Sequence, residues 1–125
     1  MADAHWQREP EKHDFPAAAD YLSLVFSESE THDLVKALRD APTADRKAKD
    51  ILRASRLPLL TPEDPAVARD IAKVEAGTKL SPVLLVRGSA VENVPLTVAD
   101  GYHRICASYH LDENQEVACR VVDLP

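Results

Sequence analysis

A short and almost entirely apolar run at residues 82–86 constrains the fold more than any other part of this sequence. The run, Pro-Val-Leu-Leu-Val, lacks the alternation of apolar and polar residues that marks a strand with one solvated face. We therefore expect a strand that is covered on both faces. With the helical patterns around it, the run predicts an α/β protein: a small mixed sheet with helices packed on it, preceded by a helical N-terminal extension.

The composition narrows the classes of protein to which the chain can belong. Its 125 residues suit one domain with a real core. A net charge of −6 and an aromatic content of 5% argue against direct binding of duplex DNA and against a stacking platform for single strands. No apolar leader and no membrane-length apolar run is present, so we expect a cytoplasmic protein with no membrane partner.

Cysteine and histidine spacing gives no reason to expect a metal site. Cys106 and Cys119 lie in apolar runs and form no Cys-x-x-Cys pair, so we expect both to be small buried hydrophobes. His103 and His110 lie two helical turns apart, roughly 10 Å, and cannot share one ion.

The first half of the chain has the pattern of an arm followed by helices. Residues 1–15 are polar and predict a flexible arm, in which Trp6 either serves as an anchor or stays exposed. Residues 16–56 predict a helical extension, whose apolar faces could form a homodimer interface. Its three predicted helices begin at Pro16, at a capping box formed by Ser27 and Glu30, and at Ala44 after a Thr43 cap.

Five basic residues are concentrated in and just after the third predicted helix, residues 44–54. We consider two interpretations of these residues: a solvated helix face, or a lid or phosphate-contacting surface. The five residues are Arg46, Lys47, Lys49, Arg53 and Arg56.

Residues 57–125 are expected to supply the sheet. An edge strand is predicted at 57–60, where Pro58 cannot donate to a ladder, and a helix from Ala66 to about Glu75 that stops at Gly77. Further strands are predicted at 82–86, at 95–98 and at 117–122, with a helix after Gly101.

The stretch from Asp100 to Arg104 is the candidate site, because it joins an apolar strand directly to a helix. Backbone N–H groups at an exposed helix N-terminus bind anions, and phosphate above all. Gly101 lets a ligand come close, Arg104 can fork onto phosphate oxygens, and His103 can donate a hydrogen bond or a proton.

The same stretch, Asp100-Gly101-Tyr102-His103-Arg104, resembles the Gly-x-x-Arg box of the ParB/sulfiredoxin-like domains. Residues 80–86 resemble the family's strand before the box and residues 116–122 the strand after its helix, so that the resemblance covers about half the chain. It implies that residues 57–125 form such a domain and bind a nucleotide or a phosphorylated small molecule, with Mg²⁺ and a nucleoside di- or triphosphate as the implied cofactors. Ser81 and Gly88 are weaker candidate ligand contacts.

Two alternatives remain open. The box also resembles that of free serine kinases in the superfamily, which implies phosphoryl transfer or phosphohydrolysis with Glu63 or Asp64 as the base; otherwise these acids simply begin a helix. Sulfiredoxin activity is disfavoured, because Tyr102 stands where that family has its reactive cysteine and Cys106 is a helical turn away. In the other alternative the chain is a non-catalytic interaction module in which Asp100 caps the helix or pairs with Arg104.

Overall fold

The computed structural model describes residues 5–125 of the chain. In chain order the elements are α1 (Asp14–Leu22), α2 (Glu28–Asp40), β1 (Ala44–Lys47), α3 (Ala48–Ser55), α4 (Pro65–Glu75), β2 (Val83–Val86), β3 (Thr97–Asp100), α5 (Tyr102–Leu111) and β4 (Glu116–Val122).

The four strands form one mixed sheet in the order β1-β4-β2-β3. Strand β4 runs antiparallel to β1 and parallel to β2, while β2 runs antiparallel to β3. The predicted α/β class with a small mixed sheet is therefore confirmed.

Helices cover the sheet on both faces, and the apolar run of β2 shows why. Leu84 and Val86 join a cluster with residues of α1 and α2, whereas Val83 and Leu85 join a second cluster with residues of α3, α4 and α5. All four residues of β2 are buried. The prediction that both faces of this strand are covered is confirmed.

The predicted start of α2 and the predicted end of α4 are also confirmed. Ser27 caps α2 by accepting from the Glu30 backbone N–H at 3.1 Å, and the Glu30 carboxylate accepts from the Ser27 N–H at 2.9 Å. Helix α4 stops just before Gly77, which adopts a positive φ of 84°.

The prediction of one helix over residues 44–54 is wrong, because its first four residues form strand β1. These residues pair with β4 in register Ala44 with Cys119 and Lys47 with Glu116. Pairing with a neighbouring strand overrides the helical propensity of this segment. Thr43 does not cap α3; its hydroxyl donates to the Arg8 carbonyl at 2.6 Å. The extension over residues 16–56 is therefore not wholly helical.

The predicted edge strand at residues 57–60 does not form, and β3 lies two residues later than predicted. Side chains of α5 bind two of the carbonyl groups of residues 57–60: the Tyr102 hydroxyl donates to Pro58, and His110 Nε2 lies 2.6 Å from the Leu60 carbonyl.

The described part of the N-terminal arm is packed against the body of the protein. Trp6 is 1% exposed and belongs to the same core cluster as α3, α4 and α5. Its neighbours extend the contact through backbone hydrogen bonds, from Gln7 to the Leu80 carbonyl at 2.7 Å and from Leu80 to the His5 carbonyl at 2.8 Å. The prediction of a flexible arm is therefore wrong for residues 5–13, and Trp6 is the anchor.

Helix α1 begins at Asp14, two residues before the predicted start at Pro16. Within residues 5–125, no helix has the length and apolar character that crossing a membrane requires.

Candidate functional site

The turn between β3 and α5 depends on a glycine. Gly101 has φ 109° and ψ 18°, a backbone conformation that L side chains rarely adopt. A Cβ at this position would lie only 2.4 Å from Val83 Cγ1 and 2.8 Å from Arg104 Nη2. Among residues 5–125, no side chain caps the N-terminus of α5. The predicted arrangement of strand, tight turn and helix with free N–H groups is present.

A cleft of about 410 Å³ lies at this turn. Its walls come from the N-terminal segment, from the second half of α4 and the residues after it, and from the turn itself. The charged residues that line it are Glu11, Asp14, Asp70, Lys73, Lys79, Asp100 and Arg104, together with His13 and His103.

Arg104 is bound to the protein and not directed outward, contrary to the expectation that it forks onto a ligand's phosphate. Its Nη2 lies 2.7 Å from an oxygen of Asp100, and its Nη1 donates to the Ser81 carbonyl at 2.7 Å and to the Ser81 hydroxyl. A second carboxylate, Asp14, lies 3.8 Å from Nη1, and the Arg104 side chain is only 12% exposed. Arg104 therefore connects the turn to the segment just before β2 and to the start of α1.

Two carboxyl groups in the cleft, those of Asp70 and Asp100, are partly withdrawn from water. Burial raises the pKa of Asp100, and the nearby Asp14 adds to the rise, while Arg104 opposes it. Burial likewise raises the pKa of Asp70, against the opposing charge of Lys73, whose Nζ lies 3.9 Å away. With four carboxylates against Lys73, Lys79 and Arg104, the cleft has no excess of positive charge.

Of the other residues predicted to contact a ligand, some line the cleft and others lie elsewhere in the molecule. His103 is exposed and lines the cleft. Ser81 reaches it as a partner of Arg104, and Tyr102 packs against the core. Gly88 lies outside the cleft; a Cβ there would meet the Val94 carbonyl at 2.3 Å, so close packing of backbone explains this glycine.

Neither Glu63 nor Asp64 lines the cleft, so the structure does not place the predicted base beside the candidate site. Asp64 is the N-cap of α4 and accepts from the backbone N–H groups of Ala66 and Val67 at 3.0 and 3.1 Å. Helix initiation accounts for its position.

We expect Asp64→Ala to lower the unfolding free energy by about 1 kcal/mol, because two N–H groups lose their acceptor. Glu63→Gln is the matched control, since Glu63 is exposed and provides no cap. Urea denaturation of both variants gives the comparison. Equal stability of the two variants would contradict the capping role.

Several cleft residues were missed by sequence reasoning. Asp14 and Lys79 lie far from the turn in sequence, and nothing local connects them to it. The sequence pattern could have identified Asp70, because this acid lies on the face of α4 that also presents Val67, Ile71 and Val74 to the core. An acid on an apolar helix face indicates a buried polar contact.

The cysteines are free and buried, as expected. Burial raises the pKa of the Cys106 thiol, and that of Cys119 to about 11. Since the thiolate is the nucleophile, neither group suits thiol chemistry near neutral pH.

Comparison with known proteins adds no assignment to this geometry. No family model, curated protein or solved structure matches the chain. Among residues 5–125, no group of three or more histidine, cysteine, aspartate or glutamate side chains is arranged to hold a metal ion.

Proposed function

We propose that the cleft at Gly101 binds a phosphate-bearing small molecule, for which a nucleotide is the first candidate, in a domain of the ParB/sulfiredoxin type. The uncapped N-terminus of α5, which meets the cleft at Gly101, carries the proposal. Free N–H groups and the positive end of the helix dipole attract an anion to this point.

Two side chains at the cleft can add to this attraction. Lys79 and His103 both line it, and neither has a carboxylate within ion-pair distance among the described residues. A lysine ammonium binds phosphate as a point charge, and a histidine ring can donate a hydrogen bond. In this proposal Arg104 orients the turn and does not bind the phosphate directly.

The carboxylates of the cleft favour a ligand that brings a cation. Mg²⁺ commonly takes only one or two protein carboxylates and completes its shell with phosphate oxygens and water. Asp70 is the residue we assign to this contact, since its nearest cation, Lys73, is 3.9 Å away. The cation would then offset the repulsion between the phosphates and the acids.

Thermal unfolding with a panel of nucleoside di- and triphosphates and inorganic phosphate, each with and without Mg²⁺, tests the proposal. A ligand at a hundredfold excess over its dissociation constant should stabilise the fold by about 2.7 kcal/mol.

We expect Lys79→Ala to weaken binding of that ligand about tenfold, because one charge-assisted contact is lost. The control is Lys36→Ala, on α2 and outside the cleft. If no compound of the panel moves the midpoint, the proposal fails.

A further inference from the structure

A second groove, separate from the cleft, is lined by four arginines. It consists of two adjoining hollows, of about 180 and 380 Å³, that share Ala54, Arg87 and Leu96 in their walls. Arg46 and the acidic Asp50 also line the first hollow, and Arg53 and Arg56 line the second. We call this the arginine groove. Arg46, Arg53 and Arg56 belong to the basic concentration seen in the sequence, and the fold brings Arg87, the residue after β2, beside them.

The positive charge of the arginine groove is weakly compensated. Arg46 donates to the Asp45 backbone carbonyl at 3.2 Å, and Arg56 donates to the neutral amide oxygen of Asn93 at 2.8 Å. Arg53 and Arg87 each meet one carboxylate, Asp50 at 3.4 Å and Asp123 at 2.8 Å, but these pairs are solvent-exposed. Exposed ion pairs of this kind contribute little to stability. Such a concentration of cations stands out in a chain with a net charge of −6.

The floor of the arginine groove is apolar. Ile51 of α3, Leu85 of β2 and Val121 of β4 line the first hollow, and Leu96 lies between the two. Guanidinium groups around an apolar floor match a ligand with an apolar side chain between carboxylates, because arginine binds carboxylates through two parallel hydrogen bonds.

We propose that the arginine groove binds an acidic peptide segment of a partner protein, with one apolar side chain on the floor and carboxylates on the arginines. The four guanidinium groups outnumber the two carboxylates at the groove, Asp50 and Asp123, and charge complementarity with this excess favours an acidic partner. A nucleic acid is disfavoured because no aromatic side chain of residues 5–125 lines either hollow and the molecule as a whole is acidic. This inference is independent of the proposed phosphate site.

Fluorescence anisotropy with the full-length protein tests the inference. The probe is a fluorescein-labelled peptide with a central leucine flanked by glutamates, and its lysine counterpart is the control peptide. We expect saturable binding of the acidic peptide that weakens as salt is raised. Arg87→Gln and the double variant Arg53→Gln/Arg56→Gln should each weaken binding about tenfold or more.

Arg69→Gln provides the matched control, because Arg69 is an exposed arginine of α4 that lines neither hollow. It should bind as the unchanged protein does, and circular dichroism melting checks that every variant is folded. The inference is overturned if the acidic peptide does not bind, if Arg87→Gln and Arg69→Gln bind it equally well, or if a single-stranded RNA of equal length binds more tightly.

Discussion

Replacing Gly101 by alanine should lower the unfolding free energy by about 3 kcal/mol, the sum of two costs. A left-handed backbone costs a non-glycine residue about 1–2 kcal/mol. Forcing a methyl group against the buried Val83 adds about 1–3 kcal/mol of overpacking, since the approach of 2.4 Å leaves no room for it. Urea denaturation measures the change. The slope of the unfolding free energy against urea concentration should be the same for both proteins, which checks that unfolding is two-state.

The chain offers a matched control for this substitution. Gly77 also has a positive φ, 84°, but a Cβ there would meet nothing within 4 Å. Gly77→Ala should therefore cost only the backbone term of about 1–2 kcal/mol. The difference between the two variants isolates the contact with Val83. Equal losses would show that the turn is not packed as described.

Replacing Arg120 by methionine should lower the unfolding free energy by about 3 kcal/mol, because it breaks a buried polar network. The Arg120 side chain is 7% exposed, and its Nη1 donates to the carbonyls of Leu38 and Arg39 at 3.2 and 2.8 Å. These carbonyls end α2, where a cation is favoured by the helix dipole. Its Nε donates to the Thr43 hydroxyl at 3.2 Å, which ties the helix end to the approach to β1.

The ion pair of Arg120 with Glu9, at 2.6 Å, should account for little of this loss, since the Glu9 side chain is 84% exposed. Glu9→Gln should therefore change the unfolding free energy by less than about 1 kcal/mol. Denaturant titration of both variants makes the comparison. If Glu9→Gln costs as much as Arg120→Met, the carbonyl contacts at the end of α2 are not what Arg120 contributes.

Local patterns predicted those parts of the fold that local energetics decide. The capping box at Ser27 and the end of α4 before Gly77 depend on neighbours within a few residues, and both were predicted correctly. The apolar run of β2 also revealed its two covered faces, since burial on both sides requires apolar residues at every position.

Long-range pairing explains where prediction failed. Residues 44–47 have the composition of a helix, but β4 offers them a ladder of backbone hydrogen bonds. Residues 57–60 look like a strand, but side chains of α5 bind the carbonyls of Pro58 and Leu60. Neither the pairing with β4 nor the contacts from α5 can be predicted from a short window of sequence.

The candidate site was predicted as a position and not as a set of contacts. The tight turn at Gly101 followed from the strand and helix patterns on either side of it. The inward orientation of Arg104 did not, because its partners include Asp14, which lies near the other end of the chain. Likewise Asp70 of α4, and Lys79 shortly after that helix, line the cleft because α4 packs against α5, far from both residues in sequence.

The proposed function requires that an anionic ligand binds at the N-terminus of α5. Two-dimensional ¹⁵N–¹H NMR during titration with a nucleotide and Mg²⁺ tests it most directly, because each backbone N–H reports its own surroundings. We expect saturable shifts that are largest at the amides of Gly101, Tyr102 and His103. Shifts confined to other parts of the molecule, or no shifts at all with any nucleotide of the panel, would contradict the claim.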